Sequence, residues 1–292
     1  LLLLGVASPL TAYAESDNSA ERVRQWLSQL QAAGATVQVD AVETLTDGGS
    51  VRARNLAIEA PSAAGQKVKI VVGALTLSGA GDTASAYRVG QAHADKLRVT
   101  FGDAYFEAAA LDLTNVALPR SVSTAMDAQH PTASLVRFAR AALAVQAGDV
   151  RLTGLAWALP GAGVDAVDTL GLLSAINIDG GAIASLRLRD FRASRRTPAS
   201  ETRIAEAVAE RISPAALLDL IDPQTYRAPL SPRSWRLLVG HAAITGLDMR
   251  AAESRTALQQ IDIGRFELRP FAFDPTPILD IAATAPAKLR EQ

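Results

Sequence analysis

The fold is decided by residues 67–78, KVKIVVGALTLS, in which apolar side chains alternate with polar or small ones. Lys67 and Lys69 alternate with Val68 and Ile70, which is the period of a strand with one buried and one solvated face. The same alternation recurs at Val37 and Val39, Leu75 and Leu77, Leu97, Val99 and Phe101, Leu111 and Leu113, Ile261 and Ile263, Phe266 and Leu268, and Phe271 and Phe273. Half-apolar strands favour an antiparallel sheet, because parallel strands are usually buried on both faces.

Amphipathic helices are predicted between groups of strands. Asn18 and Glu21 have the spacing of a capping box, and Pro131 is suited to the first position of a second helix. Thr197 and Pro198 give the start signal of a third helix. The apolar stripes of these three helices are Val23, Trp26, Leu27 and Leu30; Leu135, Phe138, Ala139 and Ala142; and Ile204, Val208 and Ile212.

A loose repeat connects the helices to the strands. Gly34, Gly148 and Gly240 each precede an alternating stretch, and the tripeptide Thr-Gly-Leu occurs at 153–155 and again at 245–247. The sequence therefore predicts an α+β fold. We expect curved, mainly antiparallel β-sheets of repeated helix–strand–strand units, with amphipathic helices packed on the apolar face.

The first residues predict export. The apolar run LLLLGVA at 1–7 has the length of a signal-peptide core, Ser8-Pro9 interrupts it, and Ala12-Tyr13-Ala14 supplies a cleavage site. No basic segment precedes the run, so we expect the natural chain to begin further upstream. Only four of the 29 basic residues are lysine, which is typical of high-GC bacteria. A Gram-negative periplasm is the predicted location.

The predicted organisation has four parts. They are a signal peptide at 1–14, a helix and β-rich half at 15–118, a helix and strand half at 132–277, and a tail at 278–292. The boundary falls within 119–131, where Pro119 interrupts the alternation and Pro131 opens a helix. No stretch of the mature chain approaches the ~20 apolar residues of a membrane-spanning helix.

Composition excludes several classes of function. The 29 Lys and Arg residues nearly balance the 30 Asp and Glu residues, so an electrostatic nucleic-acid binder is not expected. The chain has no cysteine, which excludes thiol nucleophiles, disulfides and thiolate metal sites. His93, His130 and His241 lack the spacing of metal ligands. We therefore predict no catalytic residues, no metal and no cofactor.

Two glycine-rich segments imitate dinucleotide-binding loops. The segment 79–84 leads into no helix, so it is interpreted as a hairpin turn. The segment 161–166 precedes a stretch, 167–173, that we expect to be helical, but its third small position is alanine. Nucleotide binding is therefore disfavoured. No Gly-x-Ser-x-Gly motif of a hydrolase is present.

An arginine-rich stretch is the strongest local charge bias. Two interpretations are open: a solvated strand edge that prevents aggregation, or a group of donors for a phosphate or carboxylate headgroup. The arginines concerned are Arg187, Arg189, Arg192, Arg195 and Arg196.

The apolar sides of the strands raise the question of a ligand. Burying a methylene group stabilises a complex by about 0.8 kcal/mol and requires no polar partner, so incompletely covered strands could hold an acyl chain. The residues predicted to line such a site are Leu75, Leu77, Leu97, Val99, Phe101, Leu186, Leu188, Phe266 and Leu268.

The segments 51–58, 74–79 and 182–188 end in Leu-x-Ile or Leu-x-Leu after alternating residues. With the exported leader and the short first helix, they resemble the AsmA-like and related β-rich envelope proteins of Gram-negative bacteria. The resemblance implies lipid binding or transport in a groove of a bent sheet. The chain departs from that family in having no membrane anchor and in its helical segments.

Three functions follow as hypotheses. The first is a non-catalytic periplasmic protein that binds a lipid or another apolar small molecule in its curved sheet. The second is an envelope scaffold with a dry core, which pairs with a protein partner through a strand edge. The third is an exported hydrolase whose catalytic residues are brought together only by the fold.

Overall fold

The computed structural model describes residues 19–32, 34–47, 49–61, 67–83, 86–119, 130–158, 167–196, 199–227, 234–271 and 273–284. The predicted signal peptide lies outside these residues. The helices are α1 (Ser19–Ala32), α2 (Pro131–Leu143), α3 (Ala215–Leu218), α4 (Pro223–Arg227) and α5 (Thr276–Thr284). The strands are β1 (Thr36–Gln38), β2 (Ala41–Thr44), β3 (Ser50–Pro61), β4 (Lys67–Ser78), β5 (Gly81–Asp82), β6 (Ala86–Phe101), β7 (Ala104–Pro119), β8 (Ala147–Ala158), β9 (Asp168–Asp179), β10 (Ala182–Arg196), β11 (Ala199–Ile212), β12 (Arg236–Val239), β13 (His241–Ala251), β14 (Ser254–Ile263) and β15 (Phe266–Leu268).

Thirteen strands form one antiparallel sheet, which confirms the predicted fold class. The strand order is β1-β3-β4-β6-β7-β8-β9-β10-β11-β13-β14, with β2 paired to β3 and β5 paired to β6. The sheet is curved and does not close, so β14 forms one edge, and β1 with β2 forms the other. A separate two-stranded sheet contains β12 and β15. The large sheet continues across the predicted boundary at 119–131, because β7 pairs directly with β8.

The helix α1 begins the described chain and packs on the sheet as predicted. Leu27 and Leu30 are buried in one cluster with Leu56 and Ile58 of β3. The helix ends at Gly34, whose φ of 94° places it in the left-handed region. The backbone N–H of the next residue then donates to the carbonyl of Leu30 at 3.0 Å, which satisfies a C-terminal carbonyl.

Left-handed residues inside the strands form a line across the large sheet. These residues alternate with small residues on the neighbouring strands: the strand registers place Asn55 opposite Gly73, and Gly154 between Ala109 and Gly171. We call this line the first kink row. Its left-handed members are Asn55, Lys96, Gly154, Asp190 and Gly246, with φ between 49° and 66°, and its small members are Gly73, Ala109, Gly171 and Ala205.

A second kink row runs six residues away along each strand. On β8, for example, Gly148 belongs to the second row and Gly154 to the first. The left-handed members of the second row are Gly79, Asn115, Asn177 and Arg211, and its small members are Gly90, Gly148, Ala184 and Gly240. The sequence repeat of Gly148 and Gly154 with Gly240 and Gly246 therefore marks equivalent positions of two strands.

Each kink reverses the alternation of side chains, so apolar residues three positions apart share one face. Val72 and Leu75 belong to one hydrophobic cluster, and Leu152 and Leu155 to another. The partner of a left-handed residue must be small because the backbones approach closely. A Cβ atom added to Gly154 would lie 2.9 Å from the Cβ atom of Ala109.

Three secondary-structure predictions were wrong. The stretch from Thr197 that we expected to be helical forms the strand β11, and residues 167–173 belong to the strand β9. The spacing of Ile204, Val208 and Ile212 misled because an interval of four residues fits both a helix and an alternating strand. In the tail, Phe271 and Phe273 lie outside the strands, and their rings stack at 5.7 Å.

The helices α2, α3 and α5 pack mainly on one another. Arg140 of α2 connects α2 with the segment after α3 through ion pairs to Asp219 and Asp222, at 2.6 and 2.7 Å. Within the described ranges, α1 is the helix with extensive contacts to the large sheet. The predicted coverage of the apolar face by helices therefore holds at the end formed by β1–β3. None of the described helices has the length and hydropathy needed to cross a membrane.

Candidate apolar ligand-binding face

One face of the large sheet carries an unbroken line of apolar side chains. The strand registers place one such residue of each strand directly beside the next, from β4 to β14. We call this line the apolar row and the surface that contains it the apolar face. The apolar row consists of Leu75, Ala94, Leu111, Leu152, Leu173, Leu188, Ala207, Ile244 and Ile261.

The apolar face is least exposed beneath α1 and in the centre of the sheet, and it is most exposed at the edge strand β14. Leu56, beneath α1, is 3% exposed, whereas Leu258 of the edge strand β14 is 44% exposed. In the centre of the sheet, Leu155 and Leu170 are buried. They pack against half-buried side chains of the same sheet, among them Leu173. A contiguous, incompletely covered apolar surface of this kind is a candidate site for apolar ligands or partners.

Aromatic residues lie on this face beside the centre of the sheet. The rings of Trp157 and Phe191 stack with centroids 6.2 Å apart. Trp157 also lines a cavity of about 250 Å³ with Phe101 and Phe106, at the end of the β6–β7 hairpin. An acyl chain on the apolar face would therefore contact an indole ring.

The predicted lining residues divide into two groups. Seven of them share the apolar face: Leu75, Leu77, Leu97, Val99, Phe101, Leu186 and Leu188. The other two, Phe266 and Leu268, lie in β15 and pair with β12 in the small sheet. These two residues are therefore not part of the apolar face.

The same face contains residues that the sequence analysis did not predict. Trp157 and Phe191 were missed because each follows a kink that a strict alternation does not anticipate. Ile204 was assigned to a helix, and Ile244, in the alternating stretch after Gly240, was not predicted to line the site. The repeated Thr-Gly-Leu was the signal that could have located these positions.

The predicted arginine cluster is divided between the two faces. Arg187 and Arg189 lie on the side of the sheet opposite the apolar face, which we call the polar face. Both contact Glu206 there, at 3.4 and 2.7 Å. These contacts lower the pKa of Glu206, mainly through the hydrogen bond from Arg189. Arg192 lies on the same polar face and is exposed, with Arg203 as its register partner. Arg196 is the last residue of β10, and its side chain lies outside the description.

Arg195 reaches the apolar face, because the kink at Asp190 reverses the alternation of β10. Its Nη1 and Nη2 atoms donate to Oδ1 and Oδ2 of Asp168 at 2.6 and 3.0 Å. The Asp168 side chain is only 11% exposed, so it depends on this partner. On the parts of the apolar face formed by β9, β10 and β11, this pair alone carries charge among the described strand residues.

The opposite face is the solvated one, and its charged residues form ion pairs between or along strands. Arg98 pairs with Glu107 at 2.8 Å. On β13, Asp248 accepts hydrogen bonds from Arg255 and Arg250, which lower its pKa to about 2. Exposed pairs of this kind add little stability individually, but they keep the surface hydrated.

His93 on the polar face contacts two carboxylates. Its Nδ1 atom lies 2.6 Å from Oδ1 of Asp112, and its Nε2 atom lies 3.0 Å from Oδ1 of Asp95. The hydrogen bond to Asp112 is the main cause that raises the pKa of His93 above its ordinary value of 6.5. Because carboxylates occupy both ring nitrogens, neither nitrogen is placed to activate a hydroxyl nucleophile.

The ion pair of His93 should make stability depend on pH. A histidine whose pKa is raised in the folded state stabilises it below the unfolded pKa, and this contribution disappears as pH rises through the folded pKa. We therefore expect the difference in unfolding free energy between the wild type and Asp112→Asn to shrink as the pH rises above the ordinary histidine pKa of 6.5. Urea denaturation measures this difference. A difference that grows with pH would contradict the assignment.

The remaining histidines do not assemble a metal centre with acidic residues. His241 contacts Asp262 at 3.6 Å. Across the parts of the chain that the structure describes, no group of three His, Asp or Glu side chains could hold a metal ion.

Comparison with known proteins identifies no relative. No family model, curated protein or solved structure matches this chain.

Proposed function

We propose that this chain is an exported, non-catalytic protein of the bacterial envelope that binds the acyl chain of a lipid on its apolar face. The observation that supports the proposal is the apolar row, which continues from β4 to β14 while α1 covers only the end formed by β1–β3. The apolar leader at residues 1–7 supports export to the periplasm. The resemblance to AsmA-like proteins leads to the same proposal.

The dimensions of the apolar row suit an acyl chain. Its nine residues lie on nine successive strands, and eight steps of ~4.8 Å give a length of roughly 38 Å. The hydrocarbon core of a bilayer is about 30 Å thick, so one acyl chain needs about half of that. Ten buried methylene groups would contribute about 8 kcal/mol before the entropic costs of binding. The row is therefore long enough for at least one complete chain.

The test uses Trp157 as a contact reporter. The chain has three tryptophans, so the double variant Trp26→Phe/Trp235→Phe retains Trp157 alone. Bromine quenches indole fluorescence on contact, and we expect dodecanoate brominated at carbons 11 and 12 to quench Trp157 in a saturable manner. The reason is that Trp157 lies on the apolar face next to Phe191.

The matched control is Trp26→Phe/Trp157→Phe, which retains Trp235. Trp235 is 62% exposed and precedes β12 of the small sheet. It should show only the weak, unsaturable quenching of collisions in solution. Equal quenching of Trp157 and Trp235, or none of either, would contradict the proposed function. Native mass spectrometry of protein purified from the periplasm provides a second readout, since the proposal expects a bound lipid mass.

A second candidate function is an envelope scaffold that pairs through a strand edge. It is favoured by β14, which ends the sheet and has one half-buried residue, Ile261, among ten. An exposed edge strand offers backbone groups to an added strand. A protein that purifies without lipid and shows no quenching of Trp157 would leave this candidate in place of the first.

A further inference from the structure

The free edge of a guanidinium group lies on the apolar face. Nη1 of Arg195 donates to Asp168 and to the carbonyl of Ser194, and Nη2 donates once to Asp168. A guanidinium group has five N–H donors, so within the described structure Nε–H and the second N–H of Nη2 have no acceptor. These two bonds point the same way and form a fork that fits a carboxylate or phosphate.

Hydroxyl groups continue this polar region on the neighbouring strands. Ser200 is the register partner of Arg195, and Thr202 is the register partner of Ala193 on the same face. On β14, Thr256 lies beside Met249 in the equivalent position. The apolar face therefore ends in a rim of hydrogen-bonding groups, which we call the polar rim, while the apolar row lies further along the same strands.

The ion pair with Asp168 prepares Arg195 for this role. A bidentate carboxylate fixes the plane of the guanidinium group, so binding a second anion requires little ordering of the side chain. Arg195 remains 39% exposed on its side chain, whereas Asp168 is 11% exposed. The carboxylate is thus largely buried, whereas part of the Arg195 side chain remains accessible to a ligand.

We propose that the ligand is an anionic amphiphile whose carboxylate or phosphate headgroup binds the Nε and Nη2 edge of Arg195 at the polar rim, with its chain on the apolar face beside Phe191 and Trp157. This inference rests on the proposed function and specifies the chemical class of the ligand. Phe191 lies four residues before Arg195 on the same face, roughly 13 Å away along the strand. A bound headgroup would therefore place the chain beside the aromatic pair.

The experiment compares three ligands with the same 12-carbon chain, used as monomers: dodecanoate, dodecyl phosphate and uncharged monododecanoylglycerol. Affinities come from calorimetric titration. We expect the wild type to bind at least one anionic ligand roughly tenfold more tightly than the uncharged one, equivalent to about 1.4 kcal/mol. The two anionic ligands separate a carboxylate from a phosphate source. In Arg195→Gln/Asp168→Asn, which avoids an unpaired carboxylate, the preference should disappear while the uncharged ligand still binds.

The control is Arg203→Gln on the polar face. Arg203 is also paired to a carboxylate, Glu201, at 2.7 Å, and its loss lowers the net charge by one, whereas the Arg195 double variant leaves the net charge unchanged. It should leave the preference for anionic ligands intact. If the Arg195 double variant does not fold, Arg195→Lys is tested instead. A lysine keeps the positive charge but lacks the planar pair of N–H donors, so the preference for anionic over uncharged ligands should fall at least threefold.

The outcomes distinguish the two proposals. If the wild type binds none of the three ligands, both the proposed function and this inference fail. If it binds all three equally, or if the preference persists in the Arg195 variants, the inference fails and lipid binding stands. If Arg203→Gln also removes the preference, general charge rather than Arg195 selects the ligand, and the inference is overturned.

Discussion

Gly246→Ala is expected to lower the free energy of unfolding by about 2–5 kcal/mol. Gly246 has a φ of 66°, and a left-handed conformation costs a residue with a side chain about 1–2 kcal/mol. The new Cβ atom would also lie 2.8 Å from the Cβ atom of Ala205 on β11. Relief of that overlap requires strand movement, which costs about 1–3 kcal/mol.

Urea denaturation followed by circular dichroism measures this loss of stability. Two further variants separate the cost of the left-handed conformation from the cost of the overlap with Ala205. Gly264→Ala is the matched control, because no atom lies within 4 Å of its added Cβ and its φ is not left-handed. It should change stability by less than about 0.5 kcal/mol. Adding Ala205→Gly to Gly246→Ala should recover the part due to overlap. If Gly246→Ala is as stable as Gly264→Ala, the kink is not required.

Leu30→Ala is expected to destabilise the fold by about 2–5 kcal/mol, the range for truncating a buried leucine. Leu30 is 4% exposed and belongs to the cluster that joins α1 to β3 and β4. No other described helix makes extensive contacts with the large sheet, so a cavity here weakens the main covered part of the core.

The comparison is Leu135→Ala on α2. Leu135 is 53% exposed, so the same chemical change in another helix should cost less than about 1 kcal/mol. Thermal and urea unfolding of both variants measure the difference. Similar losses of stability for the two leucine variants would mean that α1 does not cover the apolar core at the end of the sheet formed by β1–β3.

The sequence was sufficient to predict many of the strands, because a half-buried strand leaves a visible period of two. It was sufficient for α1 as well, since Leu27 and Leu30 recur at helical spacing and Gly34 ends the helix. The strand β11 was missed because its apolar residues are four apart, which satisfies both periods. The helix α5 was missed because the region after 278 was interpreted as a tail.

The division of the arginines could not be predicted from alternation. Arg187, Arg189 and Arg195 all have odd numbers, so a regular strand would place them on one face. The kink at Asp190 reverses that order and moves Arg195 to the apolar face. Aspartate tolerates the left-handed region better than most residues, but nothing local requires it there. Lys96 and Arg211 are still harder to foresee, because long side chains rarely occupy such positions.

The two kink rows make the sheet modular. Most long strands of the sheet bear the same pair of marks six residues apart, so a hairpin carrying those marks matches the register of its neighbours wherever it is inserted. One added hairpin would widen the apolar face by two strands, or about 10 Å, without disturbing the pairing of the other strands. Gene duplication of such hairpins offers a simple way for a chain of this design to widen its apolar face.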